Sequence, residues 1–275
     1  MFDVQAHRGG AALAPENTLV AFGNALDIGV STLECDVHIS ADGVPVLSHE
    51  RTWAGRIVPT TSYAELCDVT PAGCEPIATL ADLLTLLADR GADRGTDGVG
   101  LNLETKFDVL HPDEASPRER FVKAVLSVLE GSPVRERTSV QSFDWALLRQ
   151  VRAVAPDLDL NALSNTGYLE MDQPGASPWL AGLDIDDFAG SVPAAVTALG
   201  FTGLSPSHTI LTPAMVAEAH EAGLRVLPYT VDDPPTMRRL VAMEVDGLIT
   251  NRPDLLREVL GSLGQPLPRR HPGPG

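Results

Sequence analysis

Along this chain, short runs of β-branched and aliphatic residues alternate with segments whose apolar positions recur at helical spacing. The runs at 3–7 (DVQAH), 31–37 (STLECDV), 99–106, 138–143, 158–163, 201–206, 224–231 and 246–250 predict strands, and 182–187 (GLDIDD) is a weaker candidate. Between them, 18–29, 79–91, 117–131, 144–156, 191–200, 212–223 and 234–245 predict helices. In the first, Leu19, Phe22, Ala25 and Leu26 share one face and Gly29 is a stop signal; Asn17 or Thr18 is its cap. Asp144 is placed to cap the helix that follows it, and Thr212 and Gly223 bracket another. The stretch 42–49, opened by an Asp-Gly turn, is a hairpin partner for the second strand.

Strand–helix alternation predicts a parallel sheet with helices packed outside it. With 182–187 taken as loop, eight strands remain, the number of a TIM (β/α)8 barrel. An open doubly wound sheet satisfies the same alternation and stays open. The segment at about 50–76 has mixed signals and reads as a small insertion after the second strand, over the site. Residues 1–263 form one domain on this reading, and the Pro-, Gly- and Arg-rich stretch 264–275 is expected to be a disordered tail.

Composition narrows the class. The 275 residues are 44% hydrophobic, enough for a sizeable core. Their formal net charge of −17 repels nucleic acid and anionic membrane at long range, so neither is an expected partner. That field would also repel a phosphate, so a phosphate site needs local positive charge. The sequence has no apolar run of membrane-spanning length, and MFDVQAHRGG lacks the features of a signal peptide; a cytoplasmic location without stable membrane insertion is expected. Three cysteines, Cys35, Cys67 and Cys74, are too few for a disulfide framework, although Cys67 and Cys74 could pair in an exported protein.

In a barrel, chemistry collects at the C-terminal ends of the strands. His7 and Arg8 end the first predicted strand, Glu34 and Asp36 the second, Glu104 and Lys106 the third, Gln141 and Ser142 the fourth. Two residues apart, Glu34 and Asp36 leave the same face of a strand and repel each other unless a cation or proton lies between them. With Glu104 they form a hard-oxygen set suited to Mg²⁺ or Ca²⁺. A purely structural network with Arg8 and Lys106 is the competing interpretation. His7 and His49 could serve as acid and base, His38 falls at the rim, and Cys35 faces the core.

The ordered blocks AHRGG…PENTLVAF (6–22), LECDVHISADGVPVLSHE (33–50), IATLADLL (77–84), LNLETK (101–106), QSF (141–143) and VLPYTVDD…VDGLITNRPD (226–254) carry a resemblance that runs the length of the chain. They resemble the glycerophosphodiester phosphodiesterases, of the same superfamily as the phosphatidylinositol-specific phospholipases C. The resemblance implies a (β/α)8 barrel with an insertion after the second strand. It implies His7 and His49 as the acid/base pair, Glu34, Asp36 and Glu104 as ligands of one divalent ion, and Arg8 and Lys106 on the phosphate. It also implies Glu16 near metal or glycerol, and Tyr229 at the glycerol pocket. The implied reaction cleaves a small-molecule glycerophosphodiester to glycerol 3-phosphate and an alcohol. Three positions depart from the family's common pattern: Glu50 stands where Asp is frequent, Tyr229-Thr230-Val231-Asp232 where Trp-Thr-Val-Asn is common, and Thr250-Asn251 where Thr-Asp is frequent. Two alternatives are kept: an enzyme acting on lysophospholipid or other lipid phosphodiesters, and a non-catalytic metal- or phosphate-binding barrel.

Overall fold

The computed structural model describes residues 1–70, 74–93, 95, 98–112 and 117–273. Residues 71–73 of the expected insertion and 274–275 of the expected tail lie outside that set. In chain order the elements are β1 (Asp3–Ala6), α1 (Leu19–Ile28), β2 (Thr32–Ile39), β3 (Pro45–Leu47), β4 (Thr52–Trp53), β5 (Arg56–Ile57), α2 (Tyr63–Asp68) and α3 (Leu80–Asp89). Then come β6 (Gly100–Thr105), α4 (Arg118–Leu129), β7 (Thr138–Ser142), α5 (Trp145–Val154), β8 (Asp159–Ser164), α6 (Thr166–Leu169) and α7 (Val192–Ala198). The chain ends with β9 (Gly203–Pro206), α8 (Pro213–Glu221), β10 (Arg225–Val226), α9 (Pro234–Ala242), β11 (Gly247–Thr250) and α10 (Pro253–Ser262).

Eight of these strands run parallel in the order β10-β9-β8-β7-β6-β2-β1-β11. The two ends of that order meet: Asp246 N–H donates to Val226 O at 3.0 Å, and Ile249 N–H to Pro228 O at 3.1 Å. The sheet therefore closes into a (β/α)8 barrel, and the open doubly wound alternative is excluded. Expected strand 182–187 is instead loop and a 3-10 turn, Ile185–Phe188, because the Asp184 carboxylate caps the turn by accepting from Asp186 N–H. Expected strand 224–231 shortens to two residues, since Pro228 has no N–H to extend the ladder.

Barrel strands are buried on both faces, and the period of two divides them. Leu33, Cys35 and Val37 of β2, with Leu101 and Leu103 of β6, join the apolar layer under the helices, where Phe22, Leu26, Leu83 and Leu87 meet them. The inward face is polar. Arg225 Nη2 reaches Asp3 Oδ2 at 3.0 Å; Gln5 Nε2 donates to the same carboxylate at 2.9 Å. Asn102 Nδ2 donates to Gln5 Oε1 at 2.8 Å and to Gln141 Oε1 at 2.9 Å, and Gln141 Nε2 donates to Glu34 Oε1 at 3.1 Å. A ladder of hydrogen bonds thus runs through the barrel from the N-terminal end to the acidic residues at the other.

After β2 the chain turns back as β3, antiparallel with Val37 opposite Leu47. The segment beyond it holds the β4–β5 hairpin and α2, and closes over a small apolar cluster of Val46, Val58, Leu66 and Ile77. Cys35, Cys67 and Cys74 are free thiols. Helix α10 was not anticipated. The described part of the expected disordered tail is ordered instead: Arg257 donates to Pro268 O at 2.8 Å, Arg90 to His271 O at 3.1 Å, and His271 N–H to Leu26 O at 2.9 Å. Captured carbonyls hold a segment whose composition alone suggested disorder. Among the described residues no helix is long and apolar enough to cross a membrane.

Candidate active site

The site begins where β1 stops. His7–Gly9 forms a 3-10 turn in which Arg8 has φ 52° and Gly9 φ 82°. A Cβ on Gly9 would lie 2.8 Å from Ala21 of α1, so only glycine permits this close crossing. The turn aims the Arg8 N–H at Glu34 Oε2, 2.8 Å away.

Glu34, Asp36 and Glu104 are all buried, and each offers an oxygen within 4.8 Å of the others. Asp36 is held by Arg8 Nε at 3.0 Å, Lys106 Nζ at 2.9 Å and Asn17 Nδ2 at 2.9 Å. Lys106 also donates to Glu104. Burial raises the cost of ionising Asp36, yet Lys106, Arg8 and Asn17 outweigh it and hold its carboxyl well below the usual range. Lys106 is correspondingly driven up, against its burial, by Glu104 and Asp36. Glu34 moves the other way: burial, then Asp36 and Glu104, push it well above an ordinary glutamate. Glu104 is also raised, chiefly by burial.

Three buried carboxylates face two cations, and one of these, Arg8, is shared with Glu16, so the charge of the triad is not compensated. A proton on Glu34 can reduce the surplus; so can a divalent ion, which would remove the repulsion of a phosphodiester monoanion. Buried, mutually repelling carboxylate oxygens fit Mg²⁺ or Ca²⁺. Arg8 and Lys106 form an ion network with the acids, and the three carboxylates are close enough together to be compatible with a divalent ion.

Both histidines are oriented through Nδ1. His7 Nδ1 lies 2.7 Å from Asn251 Oδ1. Burial and then the Arg8 charge lower the His7 pKa to about 4, so its ring is neutral at pH 7. His49, on the loop after β3 and about one-third exposed, places Nδ1 2.9 Å from Glu50 Oε1. His38 is not a rim residue: it is buried, and its Nε2 faces the His49 carbonyl at 3.5 Å.

A cavity of about 400 Å³ opens beside the cluster, lined by His38, His49, Glu104, Lys106, Phe143 and Trp179 among others. Its aromatic wall is built from Tyr168 stacked on Trp179 at 4.2 Å and edge-on to Phe143 at 4.8 Å. Tyr229 is edge-on to the same Phe143 at 5.9 Å, with its hydroxyl donating to Ser164 O at 3.1 Å. Glu16 lies outside the triad and pairs with Arg8 Nη1 at 2.8 Å. Thr18, not Asn17, caps α1. Asn17, at φ 57°, instead clamps Asp36 from two sides, its Oδ1 accepting the Asp36 N–H at 3.1 Å. Asn17, Asn102 and the aromatic wall carry no site role in the sequence reading; the signal that could have found three of these residues is that Asn17, Asn102 and Phe143 fall inside the matching blocks at 6–22, 101–106 and 141–143.

Residues 7–255 match the model of the glycerophosphoryl diester phosphodiesterase family. The chain belongs to that family. It is 28% identical over 266 residues to a glycerophosphodiester phosphodiesterase of Caldanaerobacter subterraneus subsp. tengcongensis, covering 92% of this chain and 95% of that one. A crystal structure from Silicibacter pomeroyi DSS-3, named for the same family, superposes with a TM-score of 0.80 at 33% identity, over 97% of this chain and 95% of that one. An Oleispira antarctica phosphodiesterase, solved in complex with the product sn-glycerol-3-phosphate, shares the fold with a TM-score of 0.72 at 22% identity, over 94% and 96% of the two chains.

Proposed function

We propose that the C-terminal end of this barrel hydrolyses glycerophosphodiesters to glycerol 3-phosphate and an alcohol, using one Mg²⁺ or Ca²⁺ held by Glu34, Asp36 and Glu104. The observation that carries the proposal is the buried triad whose charge Arg8 and Lys106 leave uncompensated. The family's reaction and the product held by the Oleispira antarctica relative give the substrate class. When bound, the ion supplies positive charge that neutralises and polarises the phosphodiester.

The chain's own groups do the rest. Arg8 and Lys106 stabilise charge gathering on the phosphoryl oxygens, with Glu16 steadying the Arg8 guanidinium. His7, neutral at pH 7, takes a proton from the nucleophile, which is water or the adjacent glycerol hydroxyl. A bond forms from that oxygen to phosphorus, and the bond to the alcohol oxygen breaks; attack by water gives glycerol 3-phosphate directly, whereas attack by the glycerol hydroxyl gives a cyclic phosphodiester that a water molecule then opens to glycerol 3-phosphate. His49, beside the Glu50 carboxylate, gives the departing alcohol its proton. Tyr229 and the aromatic wall shape the pocket for the organic groups.

Glycerophosphocholine is the test substrate. Release of glycerol 3-phosphate with Mg²⁺ or Ca²⁺ and its disappearance with EDTA is the expected result. No release with either ion sinks the proposal. A second reading, action on lysophospholipid, draws on the aromatic wall and on Leu110, 61% exposed at the cavity lining. Faster turnover of lysophosphatidylcholine than of glycerophosphocholine would favour it.

A further inference from the structure

The end of β11 and the loop after it carry a hydrogen-bond arrangement that neither the triad nor the cavity requires. Asp232 accepts three hydrogen bonds from them: Thr250 Oγ1–H at 3.1 Å, Asn251 N–H at 2.8 Å and Asn251 Nδ2–H at 2.8 Å. A carboxylate only accepts, so the Asn251 amide must turn its nitrogen to Asp232 and its oxygen to His7. That oxygen, 2.7 Å from His7 Nδ1, in turn requires a proton on Nδ1. Further contacts hold the loop: Arg252 N–H donates to Thr250 Oγ1 at 2.9 Å, and Ala12 N–H to Asn251 O at 3.4 Å.

We propose that Asp232 and Asn251 form a positioning relay that fixes His7 with its proton on Nδ1, leaving Nε2 as the nitrogen that exchanges protons with the reacting groups. The relay deepens the proposed function and rests on His7 being one of its acid/base pair. It acts through geometry rather than charge. Asp232 is exposed, so its field is screened by solvent, and the group touching the imidazole is a neutral amide. The two departures at 232 and 251 are thereby one feature: an acid and an amide facing each other across a single hydrogen-bonded pair.

Asp232→Asn gives the sharpest test. An amide at 232 still accepts from Thr250 and from the Asn251 N–H, but its NH₂ group then meets the Asn251 NH₂. Asn251 relieves that clash by flipping, which turns a donor toward His7 and moves the ring proton to Nε2. Turnover is expected to fall roughly ten- to a thousandfold in kcat, with KM changed by about twofold or less, as for a base in the wrong tautomer. Adding Asn251→Asp to Asp232→Asn restores a matched pair, because the carboxylate now accepts from Nδ1–H and from the 232 amide. The double variant is expected to recover kcat to within about fivefold of the native protein.

Ring ¹⁵N chemical shifts, with the His7 signals assigned by their absence in His7→Ala, read the tautomer without reference to activity. The Nδ1–H pattern in the native protein, its inversion in Asp232→Asn and its return in the double variant support the relay. An unchanged ring pattern and kcat in a folded Asp232→Asn protein overturn it, as does a double variant no better than the single one. His7→Ala separates the two claims. Full activity there overturns the acid/base assignment and the relay's catalytic role together, whereas lost activity there with native activity in Asp232→Asn overturns the relay alone.

Discussion

The two ends of the barrel interior use polar side chains in opposite ways. At the N-terminal end, Asp3 is answered on both oxygens, by Thr32 on one and by Gln5 and Arg225 on the other. One turn further in, Asn102 spends its amide hydrogens on Gln5 and Gln141 while its oxygen accepts from Ser139 at 3.0 Å. At the C-terminal end, Glu34 sits at the end of the same ladder and still has its pKa pushed upward by burial and by its neighbours. Polar groups that are fully answered make a rigid barrel; those left with surplus charge make a place where an ion and a phosphate lower the energy.

The largest effects are expected at the C-terminal end, and on activity. His7→Ala and His49→Ala should each lower kcat/KM by roughly 10²–10⁴-fold while the protein stays folded; near-native rates would remove these histidines from the chemistry. At the other end the loss should fall on stability. Asn102→Leu leaves Gln5, Gln141 and Ser139 with unmet groups, and about 3–5 kcal/mol of stability should go in denaturant titration. A loss of metal affinity larger than the loss of stability would show that the two ends are not separable.

A smaller effect follows from pH. His7 and His38 are neutral in the folded protein, both with pKa lowered to about 4, first by burial. The unfolded chain binds more protons between pH 6.5 and 4, so stability present above 6.5 is lost as pH falls through that window, by up to about 3 kcal/mol for each histidine. The raised Glu34 and Glu104 have the opposite slope, so a difference measurement isolates the effect. His38→Gln should flatten the curve of Tm against pH between 6.5 and 4, and an unchanged slope contradicts it. The smallest expected change is Glu50→Gln. Its pairing with His49 is exposed, so kcat should fall by less than about fivefold.

How far the sequence reached depended on whether a residue's role is local. The period of two along β2 places Glu34 and Asp36 on one face whatever surrounds them. Helix caps such as Asp144 and Thr212 are equally local, and the structure has both. Asparagines are different. Nothing near Asn17 marks it as the clamp on Asp36, and nothing near Asn102 marks it as the centre of the ladder, because their partners arrive from strands far along the chain. Asp232 and Asn251, 19 residues apart, face each other only because β10 and β11 close the barrel. The stretch 264–273 is illegible for a related reason: its contacts come from Arg257 and Arg90, not from its own composition.

One experiment addresses the surplus charge at the C-terminal end most directly. Calorimetric titration of Mg²⁺ or Ca²⁺ into the native protein and Glu34→Gln, paired with glycerol 3-phosphate release from glycerophosphocholine, tests binding and turnover together. The account predicts that the native protein binds one ion and turns over only with it, and that Glu34→Gln stays folded but does neither. A Glu34→Gln protein that binds the ion and hydrolyses substrate like the native one would contradict the account.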